Sequence, residues 1–275
     1  MLYYKTFQEG SSQEWVVFIH GAGGSSSIWF KQVREYIKHF NVLLIDLRGH
    51  GKSAETTPET SSKTYSFEEV SRDVIEVVEH LGISSAHFVG ISLGTIIIRT
   101  IGELKPEIIK SMILGGAVTR LNLRSRFLVF AAKITKKYIP FIWLYSICAH
   151  ILMPSRRHKE SRSMFIREAK RLAKAEFLRW FKLTTEINPL LKYFEEKDLK
   201  IPTLYLMGDE DYMFLPAVTK IVREHIFSIL KIINDCGHVC NIDQPEQFNK
   251  LSIEFIYRIS EQTSPREQLT FLKSF

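Results

Sequence analysis

Four short apolar runs recur along the first 120 residues: WVVFIH (15–20), NVLLID (41–46), AHFVGI (86–91) and IIKSMILGG (108–116). Runs this short and this rich in Val, Ile and Leu read as strands covered on both faces, as in parallel sheets. Between them the spacing of apolar positions changes to three and four. SSIWFKQVREYIKHF has that helical period, and SFEEVSRDVIEVVEHLG (66–82) adds its own punctuation. Ser66 with Glu69 makes a capping box at its start, and Gly82 supplies its stop. A further helix is predicted from about Ser92 to Leu104. The alternation predicts an α/β fold: a mostly parallel, doubly wound sheet with helices on both faces.

The pattern breaks near Leu121. The next eighty residues have helical periodicity and no strand. Strands resume at IPTLYLMG (201–208) and SILKIIND (228–235), with a helix from about Pro216 between them and a last helix opened by Pro245. The chain therefore divides into a core, 1–120 with 201–275, and an inserted helical cap, 121–200. The insertion falls at the edge of the sheet where strands end and ligands bind. The tail from Ser260 is read as loosely held, with Phe and Leu residues able to dock.

Charge separates the two parts further. Residues 121–200 hold 18 Lys and Arg against 7 Asp and Glu, an excess of +11, whereas the remainder holds 19 against 23. Aromatic residues interleave with these charges, but no nucleic-acid motif accompanies them, so no nucleic-acid partner is expected. A solvated cap face or peripheral contact with an anionic membrane remains. The apolar run 138–153, flanked by Lys136-Lys137 and Arg156-Arg157, is too short to span a bilayer and contains Pro140 and His150. It reads as a buried or interfacial helix. Three cysteines form no disulfide framework, and the first residues lack an apolar signal region; both point to a cytoplasmic protein.

The candidate chemistry begins at HFVGISLG (87–94). Ser92 stands between a strand and a helix, with Gly90 and Gly94 two residues away on either side. A turn that sharp leaves no room for side chains at the flanking positions and presents the hydroxyl at a helix N-terminus. A serine nucleophile needs a base, and the base a carboxylate. His238 follows the last strand, in NDCGHVCNIDQPEQF. The carboxylate is sought after the strand before it, in LYLMGDEDYMFLP, where Asp211 is preferred over Asp209; Asp235 and Asp243 are read as terminating or capping elements. Backbone N–H groups of Ala22, in the Gly-rich HGAGG (20–24), and of Leu93 are the candidate oxyanion donors. His20 is assigned a structural hydrogen-bonding role.

These pieces resemble the α/β-hydrolase superfamily, in its branch with a helical cap: HGAGG (20–24), DLRGHGKS (46–53), GISLG (90–94), GDED (208–211) and GH (237–238) before QPEQF. The resemblance implies Ser92 as nucleophile, Asp211 as acid, His238 as base and Ala22 with Leu93 as the oxyanion hole. Asp46, Arg48 and Gly49 match a segment that is mainly structural in the family.

Other readings are weaker. Cys236, His238 and Cys240 alternate in a zinc-like Cys-x-His-x-Cys pattern, but no fourth ligand has suitable spacing. GAGG lacks the spacing of a dinucleotide loop. No metal and no cofactor are therefore expected. The chain reads as a serine hydrolase of carboxylic esters, a carboxylesterase or lipase-like enzyme acting on a small-molecule ester. A C–C or amide hydrolase on the same scaffold and a ligand-sensing, hydrolase-like signalling protein are the alternatives. Phe127, Phe130, Phe141, Trp143 and Trp180 in the cap favour an apolar acyl or aromatic group, unless they only hold the cap helices together.

Overall fold

The computed structural model describes residues 1–8, 13–56, 65–121, 130, 133–134, 138–185, 187–262 and 264–275. Its centre is a seven-stranded sheet in the order β1-β3-β2-β4-β5-β6-β7. The strands are β1 (Tyr4–Phe7), β2 (Trp15–Ile19), β3 (Asn41–Ile45), β4 (Ala86–Ile91), β5 (Ile109–Gly115), β6 (Thr203–Gly208) and β7 (Ser228–Ile233). All neighbours are parallel except β1, which runs antiparallel to β3 with Tyr4 opposite Ile45. The apolar runs of the sequence are β2 to β7. β1 is an edge strand whose alternating YKTF carries no continuous apolar run, so the periodicity did not mark it.

Both faces of the sheet are covered, as the uninterrupted apolar strands require. On one side α2 (Phe67–His80) and α3 (Leu93–Leu104) pack with Val17, Phe88, Met112 and Tyr205 into a single buried cluster. On the other, α1 (Phe30–Tyr36) and α9 (Pro245–Glu261) enclose Val16, Phe18, Val89 and Leu204. The expected capping box closes α2: Ser66 Oγ accepts the Glu69 N–H at 3.1 Å and the Glu69 carboxylate accepts the Ser66 N–H at 2.9 Å.

Between β5 and β6 the described residues form α4 (Phe141–Leu152), α5 (Lys159–Ala169), α6 (Lys174–Thr185) and α7 (Asn188–Glu196). α6 seats on the loop after β3. Trp180 Nε1 donates to Arg48 O at 3.1 Å, and Tyr65 donates to Glu176 at 2.6 Å. Beyond β6, α8 (Leu215–Glu224) leads to β7.

In the tail the Phe and Leu residues do dock, as one of the two expectations had it, and the described residues are helical rather than loosely held: α9 continues to Glu261, and α10 (Pro265–Ser274) packs on it. Leu272 is buried, and the rings of Phe271 and Phe275 lie 6.1 and 5.9 Å from that of Phe255. The helix starts on a second capping box, Ser264 with Glu267, followed by Pro265.

Two of the cap aromatics take the second of their two expected roles and hold helices in place. Trp180 is buried against the core loop, and Phe141 stacks on Phe177 at 5.3 Å. Phe130 and Trp143 are largely exposed, and Phe127 lies outside the described residues, as do Lys136 and Lys137.

Candidate active site

β4 runs into α3 through a single residue, Ser92. Its backbone takes φ +53° and ψ −119°, a setting L residues seldom adopt. The Ser92 N–H donates to Gly115 O at 3.0 Å, which ties the turn to the end of β5. Gly94 shows why the turn can be so tight. A Cβ there would stand 2.3 Å from Ile19 O and 2.8 Å from His20 O, backbone atoms that cannot swing aside. Only a bare Cα lets α3 approach β2 this closely.

The ends of β6 and β7 bring two further groups to the serine. His238 Nε2 stands 2.9 Å from Ser92 Oγ, placed to accept its proton, and His238 Nδ1 is 2.8 Å from Asp211 Oδ2. The other Asp211 oxygen accepts the Phe214 N–H at 3.1 Å, which fixes the carboxylate plane. The Asp211 and His238 side chains are only 1% and 2% exposed, so water does not compete for the bond between them. Asp209 is engaged elsewhere. Its Oδ1 accepts the Cys236 N–H at 3.1 Å and braces the loop that carries His238. Asp243 accepts the Gly237 N–H at 3.0 Å, and Asp235 pairs with Arg157.

The Gly-rich turn after β2 is held by two buried histidines. His20 Nδ1 donates to Gly21 O at 2.8 Å, and its Nε2 accepts the Leu47 N–H at 3.0 Å. His50 Nδ1 donates to Arg48 O and its Nε2 accepts the Gly23 N–H, both at 3.0 Å. Burial pushes both rings below the usual imidazole range; His50, with His20 beside it, falls to about 3. Both are neutral at pH 7 and have each nitrogen committed to backbone. His20 thus has the structural role its position suggested, and His50 is its unforeseen counterpart. Ala22 lines the pocket beside Ser92. Leu93 is the first residue of α3, where an N–H has no acceptor within the helix.

The pocket over Ser92 and His238 is narrow, about 40 Å³, and its wall is apolar: Ile28, Ile91, Met164, Phe165, Val239 and Ile242. Of the described cap aromatics singled out in the sequence, Phe130, Phe141, Trp143 and Trp180, none lines it. Two polar side chains from α5, Ser161 and Glu168, do. Glu168 is buried, accepts from Ser25 Oγ at 2.7 Å, and has Arg171 at 3.2 Å on its other oxygen. It therefore joins α5 to the turn that holds Ala22. His158, just before α5, packs its ring on Gly237; a Cβ on Gly237 would come within 2.9–3.1 Å of three ring atoms. Its Nε2 lies 3.4 Å from Glu210 and 3.8 Å from Asp243. Neither Glu168 nor His158 carried a sequence signal, because each meets its partners only across the fold.

Cys236 and Cys240 flank this loop as buried thiols that burial pushes well above their ordinary pKa; Cys240 Sγ donates to Leu206 O at 3.4 Å. Among the described residues no group of three or more His, Cys, Asp or Glu is arranged to hold a metal ion.

Residues 14–139 match a family described as alpha/beta hydrolase fold. The chain is 26% identical over 262 residues to a protein named as a carbamate hydrolase, RutD, of Rhizobium rhizogenes, covering 90% of this chain and 94% of that one. It is 23% identical over 255 residues to 3-oxoadipate enol-lactonase 2 of Acinetobacter baylyi, covering 90% of each. The structure superposes on the enol-lactonase from Burkholderia xenovorans with a TM-score of 0.76 at 21% identity, covering 93% of this chain and 96% of that one.

Proposed function

We propose that the chain is an α/β-hydrolase and, within that superfamily, a serine hydrolase of carboxylic esters with neutral, apolar acyl groups. The observation that supports this most directly is the hydrogen-bonded chain Ser92–His238–Asp211, at 2.9 and 2.8 Å, on a serine held at positive φ. In this reading Ser92 Oγ attacks the ester carbonyl as its proton passes to His238 Nε2. Asp211 keeps the Nδ1–H tautomer and stabilises the imidazolium. The N–H groups of Ala22 and Leu93 receive the developing oxyanion. His238 then returns the proton to the departing alcohol. Water, deprotonated by the same ring, releases the acid and regenerates Ser92.

The apolar wall of the pocket suits an uncharged acyl chain. The inserted helices act as a cap: α5 contributes Met164, Phe165 and Glu168 to the pocket. The two relatives named above carry names built on a carbamate and an enol-lactone, carbonyl compounds of the kind such a serine attacks.

A fluorophosphonate probe should label the wild-type protein at Ser92, and simple acyl esters of graded chain length should be turned over continuously. Ser92→Ala should abolish both while the protein stays folded, with turnover falling by roughly 10⁶. Labelling that persists in Ser92→Ala would place the nucleophile elsewhere. A single slow turnover with every ester would favour the ligand-sensing alternative.

A further inference from the structure

A helix apolar around its whole circumference is normally buried on all sides or sits in lipid. α4, FIWLYSICAHIL, has no Lys, Arg, Asp or Glu along its length, and yet it lies at the surface. Leu144, Tyr145 and Ala149 turn inward, the first two into a small cluster with Ala169, Leu172 and Phe177. On the outer side Trp143, Ile147 and Ile151 are 66%, 48% and 39% exposed. Their spacing of four puts them in one row along the helix. Tyr138, just ahead of α4, is also exposed.

Charge around this row is one-sided. From Leu121 through Lys159 the sequence has eight Lys and Arg and no Asp or Glu; the first acid is Glu160. Arg156 and Lys159, both exposed, follow α4 directly, whereas Arg157 is engaged with Glu210 and Asp235. An uncharged stripe of Trp and Ile beside Arg156 and Lys159, which have no ion pair among the described residues, matches a helix lying in the plane of an anionic bilayer. Trp and Tyr suit the headgroup level, and basic side chains are drawn to acidic headgroups. A helix of 12 residues is too short to cross, and among the described residues no helix is long and apolar enough to span a membrane.

We propose that the outer face of α4 docks on an anionic lipid surface, with Trp143, Ile147 and Ile151 entering the acyl boundary and Arg156 and Lys159 meeting the headgroups. α4 packs against α5, which lines the pocket, so docking turns the cap side of the pocket toward the bilayer. The docking itself does not depend on the serine-hydrolase reading.

The test is sedimentation of the full chain with phosphatidylcholine vesicles, with and without phosphatidylglycerol. Binding should appear with the anionic vesicles, weaken as salt screens the headgroups, and be about tenfold weaker on neutral ones. Joint replacement of Trp143, Ile147 and Ile151 by Ser should remove it and leave turnover of a soluble ester unchanged. A gentler variant, Trp143→Phe, guards against misfolding. Lipids brominated in the acyl chain should quench wild-type tryptophan fluorescence, and Trp143→Phe should lose that quenching. Equal binding to both vesicle types, no binding, or quenching that persists in Trp143→Phe would overturn the proposal. So would a concentration-dependent dimer, abolished by the Ser replacements, in a protein that ignores vesicles; the row would then join two copies of the chain.

Discussion

At the scale of single residues, two carboxylates near His238 have separable tasks. Asp211 accepts from the ring, whereas Asp209 accepts only from backbone that shapes the loop. Asp211→Asn should therefore cost about 10⁴ in kcat, because an amide no longer selects the tautomer or balances the imidazolium. Asp209→Asn should cost far less; initial rates with a saturating ester read the difference. Glu168 sets a different property. Among the described residues that line the pocket it is the one carboxylate, and none of them is Lys or Arg. An acyl chain ending in its own carboxylate would bring like charges together in a low-dielectric space. Glu168→Gln should raise kcat/KM for such an anionic ester roughly tenfold relative to its neutral methyl-capped counterpart. An unchanged ratio would mean that Arg171 already neutralises the site.

Elements differ in how far the sequence reveals them. β2 to β7 and α2 were legible because their signals are local: a continuous apolar run, or a capping box three residues apart. The turn at Ser92 was legible for the same reason, since Gly90 and Gly94 report a steric demand within one turn of chain. His238 and Asp211 were found by their position after strand ends, which the order of elements supplies. What the sequence hid depends on distance. β1 has only the edge of the sheet to bury, so YKTF alternates and resembles a loop. α10 looked like a free tail because its apolar residues find Phe255 only once α9 is in place. The Glu168–Ser25 bond joins residues 143 apart, and nothing near either residue announces the other. The cap aromatics stayed open to two readings for a related reason: periodicity shows that a helix has an apolar face, not which surface that face meets. The pocket wall came instead from Ile28, Met164 and Ile242, residues of three separate elements.

Across the whole molecule the sheet divides its labour between its two ends. Ser92, Asp211 and His238 all follow the C-terminal ends of strands, where ligands collect in folds of this kind. The opposite end carries a charge cluster with no access to the pocket. Glu14, just before β2, takes Lys110 of β5 at 2.7 and 2.9 Å, and His87 of β4 lies 3.4 Å away. The His87 hydrogen bond, joined by the Lys110 hydrogen bond and charge, holds the Glu14 carboxyl at about 2. Burial meanwhile pushes His87 below its usual range, so a neutral ring makes that bond while Ser111 Oγ stands 2.7 Å from its other nitrogen. The sign of the linkage follows from the Glu14 shift. A carboxyl whose pKa is lower folded than unfolded favours the folded state wherever it is ionised in both, and that contribution fades as acid protonates it. Glu14→Gln should therefore lower the urea midpoint at pH 7. The gap from wild type should close as pH falls from the ordinary 4.5 toward about 2. Ester turnover at pH 7 should stay the same, because the cluster lies at the opposite end of β2 and β4 from Ala22 and Ser92. A gap that stayed constant across that range would show that Glu14 acts through packing rather than charge. Lost turnover in a folded variant would show that the two ends of the sheet are coupled.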